Sequence, residues 1–191
     1  MIPGKIGIPH IFLTRQIPPD SPRPKPLNNL KLEKWVILSD LQLPYEDRKT
    51  LAAVEEYIKC EGPWDGWVQL GDLIDFNELS RFNEGYPGKV TEQVAESFDA
   101  GNKFLDRHQE LVRSQNKKAR MVITGGNHEY RAKDYSLKFP QLEKMLDLER
   151  NLKFKERKIE FYDSWAEGQL FKKGKAWFMH GKNTSQNHAR K

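Results

Sequence analysis

The sequence predicts an α/β fold built around a largely parallel sheet. From Trp35 onward, apolar runs with the character of strands alternate with polar turns and amphipathic helical segments. Strand, helix and strand at this spacing imply right-handed crossovers, which place successive strands parallel to one another. Near Ile159 the pattern changes to short alternating runs, which suggest antiparallel strands. We therefore expect a first sheet that is mixed but largely parallel, followed by a second sheet.

The first half of this fold is predicted to hold two strands and two helices. Apolar runs before polar turns predict strands at residues 35–39 and 67–70. Between them, residues 47–59 are predicted to form a helix, because apolar residues recur there at helical spacing. These residues are Leu51, Val54, Tyr57 and Ile58. A short helix is expected at residues 77–82, before the turn formers Gly85 and Pro87.

The second half is predicted to begin with a long helix. Thr91 has the residue type of an N-cap, and the apolar stripe that follows it continues to about Ser114. A third strand is predicted at residues 119–124. Helical turns are expected at residues 131–138 and 141–148, interrupted at Pro140. The expected antiparallel strands are residues 159–162, 169–171 and 176–180.

Proline content divides the chain near residue 33. Residues 1–33 hold seven of the eleven prolines, so this stretch cannot form a helix and favours an extended arm. Residues 34–191 are long enough to form one domain with its own core. We expect a proline-rich N-terminal arm followed by a single domain.

Composition limits the compartment and the partners. A single cysteine, Cys60, excludes an internal disulfide and fits a reducing compartment. No apolar run reaches the roughly 18 residues of a membrane span, and the first residues lack a signal-peptide pattern. We expect a cytoplasmic protein with no membrane partner. The net charge of +5 fits either a mixed solvated surface or an anionic partner such as nucleic acid.

Four short polar clusters follow four of the strand-like runs. They are Ser39-Asp40-Leu41-Gln42, Gly71-Asp72-Leu73-Ile74-Asp75, Gly125-Gly126-Asn127-His128-Glu129 and His180-Gly181. Ligands of parallel sheets bind beyond the carboxyl ends of the strands, so Asp40, Asp72 and Asn127 should converge on one crevice. His180 would enter from the second sheet. Oxygen and imidazole ligands in this order are typical of a two-metal site that hydrolyses phosphoesters, in which a carboxylate such as Asp72 offsets the repulsion between two cations.

This pattern resembles the calcineurin-like metallophosphoesterase superfamily. The superfamily has Asp-x-His, Gly-Asp-x-x-Asp, Gly-Asn-His-Asp/Glu, a later His, and finally Gly-His-x-His. The stretches Ser-Asp-Leu-Gln-Leu-Pro-Tyr and Asp-Phe-Asn-Glu-Leu-Ser-Arg-Phe are similar to members encoded by bacteriophages. The resemblance covers the chain from Lys34 onward. It implies a four-layer αββα sandwich that hydrolyses a phosphate ester with two metals and a bridging hydroxide, in the host cytoplasm if the gene belongs to a phage.

The resemblance also implies roles for individual residues. Asp40 would bind one metal, Asp72 would bridge two, and Asn127 and His180 would bind the second. His128 would be the catalytic imidazole, oriented by Asp75, whose negative charge favours the protonated ring. Two arginines, Arg81 and Arg131, are candidates to hold the substrate phosphate, although solvated helix-face positions explain them equally well.

Two departures from the superfamily pattern change these expectations. Gln42 stands where the superfamily has histidine, so the site should be harder and favour Mn²⁺, with Mg²⁺, Fe or Zn²⁺ as other candidates. No Gly-His-x-His follows His180, and the chain ends at Lys191. We therefore expect the front part of a domain, with an incomplete second sheet and an exposed edge beside the strand at residues 176–180.

Three functions remain open on the sequence alone. The first is a metal-dependent phosphoester hydrolase, whose excess positive charge favours a nucleic-acid or nucleotide phosphodiester as the substrate. The second is a catalytically silent scaffold or binding module, which Gln42 and the missing motif favour. The third is a nucleic-acid-binding accessory protein that uses the basic surface without metal. His10, His108 and His188 lack ligand spacing and are expected at the surface.

Overall fold

A computed structural model describes residues 32–83 and 93–181 of the chain. From Glu33 onward the described residues belong to one compact unit. The proline-rich arm predicted at residues 1–33 lies almost entirely outside the described residues, as does the predicted N-cap Thr91. His10 and His188 lie outside them as well.

Four strands form one parallel sheet. They are β1 (Trp35–Leu38), β2 (Gly66–Leu70), β3 (Arg120–Thr124) and β4 (Ile159–Tyr162), in that spatial order. Every described pair in this sheet is parallel, with Trp35 opposite Gly66, Gly66 opposite Arg120 and Met121 opposite Ile159. The α/β prediction is confirmed, and the three predicted strands that precede β4 lie where the sequence placed them.

The placement of β4 corrects the sequence prediction. We expected residues 159–162 to be antiparallel and to belong to a second sheet, but β4 runs parallel to β3 and extends the first sheet. The reason is the long helical connection between β3 and β4, which returns the chain to the same end of the sheet before the strand begins. Alternation of apolar residues identifies a strand without fixing its direction or its partner.

Six helices connect these strands within the described residues. They are α1 (Arg48–Glu61), α2 (Val94–Arg113), α3 (Asn127–Lys138), α4 (Glu143–Leu146), α5 (Leu148–Asn151) and α6 (Phe154–Arg157). Short 3-10 turns occupy Asn77–Leu79, Arg81–Asn83 and Pro140–Leu142. Helix α1 begins after Asp47, whose side chain accepts the Thr50 N–H at 2.8 Å. None of the described helices is long and apolar enough to cross a membrane.

Two boundaries differ from the sequence prediction. Helix α3 begins at Asn127, inside the third polar cluster, rather than at residue 131. The predicted helix at residues 141–148 is divided, because the chain is extended at Asp147 between α4 and α5. The early start of α3 matters for function, since it places His128 and Glu129 in the first turn of a helix.

The core lies between the sheet and the helices on one of its faces. Its largest members are fully buried, and they include Trp67, Phe76, Leu105, Ile58 and Met121. His108 is also buried, with 0% of its surface exposed and its ring stacked on Phe104 at 3.9 Å between centroids. The prediction of a surface position for His108 was wrong, because its helical register with Phe104 and Val112 places it on the inner face of α2.

The opposite face of the sheet is covered by an antiparallel hairpin. Strands β5 (Phe171–Lys173) and β6 (Ala176–Phe178) pair with Phe171 opposite Phe178. Phe171 packs with Val68 and Val122 from the sheet. This hairpin confirms the predicted antiparallel pair, with β5 shifted from residues 169–171 to Phe171–Lys173 and β6 shorter than the predicted residues 176–180. Among the described strands, β6 pairs with β5 alone, and Trp177 on β6 is 59% exposed.

Candidate metal centre

The ends of the strands bring three predicted ligands together. Asp40 follows β1, Asp72 follows β2 and His180 follows β6. One ligand atom from each of these residues lies within 4.8 Å of the other two, so the group has the size of a metal site. Asp72 and His180 are buried, with 3% and 8% of their surfaces exposed, whereas Asp40 is exposed. The candidate site is therefore buried on the side of Asp72 and His180 and open to solvent on the side of Asp40.

Backbone hydrogen bonds tie the first cluster to the second. The Asp40 N–H donates to the Gly71 carbonyl at 3.2 Å, and the Gln42 N–H donates to the Asp72 carbonyl at 2.9 Å. Asp40, Gln42 and Asp72 have φ values of 53°, 50° and 52°, in the left-handed region. Each such conformation costs a non-glycine residue about 1 kcal/mol or more, and residues held in this way are concentrated at functional sites. These bonds place the Gln42 backbone beside Asp72, while a ligand role for the Gln42 amide stays a prediction.

The Asp72 carboxylate lies at the centre of the group. Its Oδ1 accepts the His128 N–H at 3.0 Å. Its Oδ2 lies 3.5 Å from Nε2 of His180 and 3.7 Å from Nε2 of His128. Asp72 thus lies beside both histidines that the sequence singled out, while its role as a bridging ligand stays a prediction.

Asn127 and His180 meet directly. Nδ1 of His180 lies 2.9 Å from the Leu70 carbonyl oxygen, which can only accept, so this nitrogen carries the proton. In the neutral ring Nε2 then presents a lone pair. It faces Oδ1 of Asn127 at 3.0 Å and Oδ2 of Asp72 at 3.5 Å, which are also acceptors. An imidazole nitrogen, an amide oxygen and a carboxylate oxygen that converge in this way are a donor set that a divalent cation fits.

Two glycines allow the loops to approach this closely. Gly71 has φ of +73°, and a Cβ there would lie 2.7 Å from the His180 ring. A Cβ on Gly126 would lie 2.1 Å from Oδ1 of Asp72. A side chain at either position would push a candidate ligand away from its place. The glycines of the second and third clusters are therefore required by the geometry of the site.

Glu129 organises the site, a role that the sequence motifs did not predict. Its buried carboxylate accepts backbone N–H groups of Asp72 at 2.9 Å, Leu73 at 2.8 Å, Ile74 at 3.1 Å and Gly126 at 2.8 Å. Burial and the nearby Asp72 charge raise the pKa of Glu129, and these N–H donors oppose the rise. The available signal was the spacing Gly126-x-x-Glu129, which is that of an N-terminal capping box.

His128, Asp75 and Arg131 form a second group beside Asp72. Nδ1 of His128 donates to the Asp75 carbonyl at 2.9 Å and lies 3.5 Å from Oδ2 of Asp75. Burial disfavours the charged imidazole, but the Asp75 hydrogen bond and the Asp72 charge outweigh it and raise the pKa of His128. Burial likewise opposes the charged form of Asp75, yet His128 and Arg131 lower the pKa of that carboxyl.

The structure separates the two arginines that were candidates for phosphate binding. Arg131 lies in the site, and its guanidinium contacts both Asp75 and His128. Arg81 lies on an exposed 3-10 turn, with its guanidinium 5.1 Å from the centre of the Phe82 ring. No contact among the described residues joins Arg81 to the candidate ligands.

Acidic and imidazole side chains on loops at the carboxyl edge of a parallel α/β sheet form a candidate metal site of the kind that metal-dependent hydrolases use. A sequence model of the family described as calcineurin-like phosphoesterase matches residues 34–191. The chain therefore belongs to the calcineurin-like phosphoesterase family, as its motifs indicated.

Similar proteins are encoded by mycobacteriophages. The Gene 54 protein of Mycobacterium phage L5 is 31% identical over 108 residues, which cover 56% of this chain and 40% of that protein. The Gene 54 protein of Mycobacterium phage D29 is 32% identical over 108 residues, with the same shares. The chain thus spans about 40% of the length of these relatives. No solved structure matches it.

Proposed function

We propose that this protein is a metal-dependent phosphoester hydrolase with a dinuclear metal centre. The observation that carries the proposal is the convergence of ligand atoms of Asp72, Asn127 and His180 on one place. Rotation of the Asn127 amide would place an N–H donor there instead, and metal titration distinguishes the two arrangements. Family membership gives the reaction class, and the site gives the residues that would carry it.

The ligands divide between two metal positions. We propose that Asp40 and Gln42 serve one cation, that Asn127 and His180 serve the other, and that Asp72 bridges them. The oxygen-rich set favours Mn²⁺, with Mg²⁺, Fe and Zn²⁺ as competitors. When bound, the cations would supply Lewis acidity and lower the pKa of a coordinated water.

The other residues would handle the substrate. His128 is proposed to protonate the leaving oxygen, because its pKa is raised and its ring lies next to Asp72. Asp75 would hold that ring in orientation through the bond to Nδ1. Arg131, and Arg81 after a movement of its exposed turn, would contact the phosphate.

The substrate is proposed to be a phosphodiester of a nucleic acid or nucleotide. The supporting observation is the net charge of +5, which attracts polyanions. We also propose a four-layer αββα arrangement, with a proline-rich arm at residues 1–33 and a metallophosphoesterase domain at residues 34–191. The activity of the whole protein belongs to the same proposal, since the chain spans 40% of its phage relatives.

A catalytically silent scaffold is the second candidate function. Gln42 favours it, because an amide oxygen replaces the histidine nitrogen of the superfamily pattern. A scaffold that had lost the metal position served by Asp40 and Gln42 would bind a single cation and would hydrolyse nothing. Metal stoichiometry therefore separates the two candidates.

The first experiment measures metal binding. Calorimetric titration with Mn²⁺ should show two cations per chain, and Asp72→Asn should abolish binding of both because the bridge is lost. Asp99→Asn, on an exposed position of α2, is the matched control and should bind like the unchanged chain. Unchanged Mn²⁺ binding in Asp72→Asn would remove the bridge assignment.

The second experiment measures turnover of bis(4-nitrophenyl) phosphate in Mn²⁺. His128→Gln should lower kcat by roughly 10²-fold or more, the usual contribution of a general acid, while Mn²⁺ affinity stays the same. Loss of metal and activity together would show that His128 is a ligand.

A further inference from the structure

The loop that follows β4 reaches the candidate metal centre. Strand β4 ends at Tyr162, and two residues later Ser164 lies with 0% of its surface exposed. The Tyr162 carbonyl accepts the Gly125 N–H at 2.8 Å, and the Trp165 N–H donates to the Gly125 carbonyl at 3.2 Å. The loop is therefore joined on both sides of Ser164 to Gly125, which stands two residues before the candidate ligand Asn127.

The Ser164 hydroxyl joins this loop to His180. Its Oγ donates to the Gly125 carbonyl at 2.7 Å and accepts the His180 N–H at 3.3 Å. A carbonyl oxygen only accepts and a backbone N–H only donates, so the direction of both bonds is fixed. A hydroxyl can make one bond of each kind at the same time. One oxygen atom therefore connects the segment that carries Asn127 to the backbone of His180.

His180 is held at two points, and Ser164 supplies one of them. The ring is fixed by Nδ1, which lies 2.9 Å from the Leu70 carbonyl oxygen at the end of β2. The backbone is fixed by Ser164, because the described pairing of β6 with β5 ends at Phe178, two residues before His180. Together these contacts direct Nε2 of His180 toward Oδ1 of Asn127, which is 3.0 Å away.

We propose that Ser164 is a positioning residue for the cation site that Asn127 and His180 would form. Its hydroxyl holds the His180 backbone against Gly125, so the imidazole and the Asn127 amide keep the spacing that one cation requires. No contact among the described residues joins Ser164 to Asp40, so the other cation position should depend on Ser164 much less. The inference rests on the proposed function for the division of the ligands between two cations.

The first test examines the His180 amide without metal or turnover. Hydrogen exchange of this amide is followed by NMR of the full chain in chelator at one fixed pH. In Ser164→Ala the exchange should be about tenfold faster or more, since the amide loses its acceptor. Ser136→Ala is the matched control and should leave the His180 rate unchanged, because the Ser136 hydroxyl also donates to a carbonyl, that of Lys133 at 2.8 Å. Equal His180 rates in Ser164→Ala and the unchanged chain would overturn the link.

The second test separates positioning from general support of the fold. In a calorimetric titration with Mn²⁺, Ser164→Ala should weaken the binding of one cation about tenfold and leave the other within about threefold, because only the side of Asn127 and His180 is loosened. Equal loss at both positions would mean that Ser164 supports the whole domain, and unchanged affinity at both would mean that its contact is not needed. Either result would overturn the proposal.

A second variant tests the hydroxyl itself. Ser164→Cys keeps the size of the side chain, but a thiol is a weak donor and a weak acceptor, so this variant should lie closer to Ser164→Ala than to the unchanged chain. If it behaves like the unchanged chain, packing positions His180 and the proposal is overturned. If the unchanged chain binds a single cation, as a scaffold would, Ser164→Ala should still weaken it about tenfold. If it binds none, the proposed function is refuted instead, and the amide exchange rates still decide whether Ser164 holds His180.

Discussion

Replacing Glu129 with glutamine should loosen the loop that carries Asp72. The carboxylate oxygens each accept two backbone N–H groups, with Asp72 and Gly126 on Oε2 and Leu73 and Ile74 on Oε1. Glutamine has nearly the same shape but only one acceptor oxygen. Its NH₂ group would face two N–H donors, so two buried backbone groups would lose their partners.

The magnitude follows from these lost bonds. A buried donor left without a partner costs about 1–3 kcal/mol, so two cost about 2–6 kcal/mol. Removing a buried negative charge next to Asp72 returns part of this cost, because burial and the Asp72 charge both disfavour ionised Glu129. We expect a net destabilisation of about 2–4 kcal/mol, which lowers the Tm of a chain of this size by about 5–15 °C.

Thermal unfolding in chelator, followed by circular dichroism, measures this effect without metal. Glu143→Gln, on an exposed position of α4, is the matched control and should unfold with the unchanged chain. Mn²⁺ affinity should also fall in Glu129→Gln, because the Asp72 loop is no longer held in the binding geometry. A Tm within about 2 °C of the parent, together with unchanged Mn²⁺ affinity, would refute the reasoning.

Two further predictions concern the core and the glycines. Burial, with a smaller contribution from the Arg107 charge, lowers the pKa of His108 from 6.5 to about 3. The part of the free energy of unfolding that depends on neutral His108 is therefore complete above pH 6.5. It falls by about 1.4 kcal/mol per pH unit as the pH falls toward 3, since only the unfolded chain takes up the proton. Urea unfolding at several pH values should show this slope, and His108→Gln should flatten it; an equal slope in the variant would contradict the assignment. Gly126→Ala should weaken Mn²⁺ binding about tenfold or more, because the new methyl group occupies the place of Oδ1 of Asp72. Gly181→Ala is the control and should bind Mn²⁺ normally, because open space surrounds Gly181. Equal Mn²⁺ affinities in the two variants would show that the Asp72 loop adapts to the methyl group.

The sequence predicted which candidate ligands lie close together better than it predicted the arrangement of the strands around them. Asp40 and Asp72 could be placed together because each follows a strand of the parallel sheet, and the carboxyl ends of parallel strands share one edge. His180 follows β6 of the hairpin and was expected to enter from the second sheet. The direction of β4 could not be predicted, since it depends on the helical connection that precedes the strand. Glu129 was missed for a related reason. Its partners are backbone groups more than 50 residues away, apart from Gly126, and no side-chain pattern records them.

Local patterns also failed where the tertiary environment overrides residue type. His108 was assigned to the surface from its residue type, but its register with Phe104 and Val112 in α2 places its ring in the core, stacked on Phe104. The start of α3 was placed too late, because Gly-Gly-Asn has the composition of a turn. In the folded protein the bond from the Gly126 N–H to Glu129 begins the helix within that turn.

The distribution of the ligands along the chain has a consequence for how the protein folds. Asp40 and Asp72 lie in the first third of the described residues and His180 lies at their end, so the three meet only in the folded protein. Parallel pairing requires contacts between distant segments, which makes it a slow process. A chain that has joined only β1 and β2 holds Asp40 and Asp72 but lacks Asn127 and His180, so a divalent cation finds the complete ligand set only in the finished sheet. It would stabilise the finished sheet by mass action and slow its unfolding, while leaving the rate of folding unchanged.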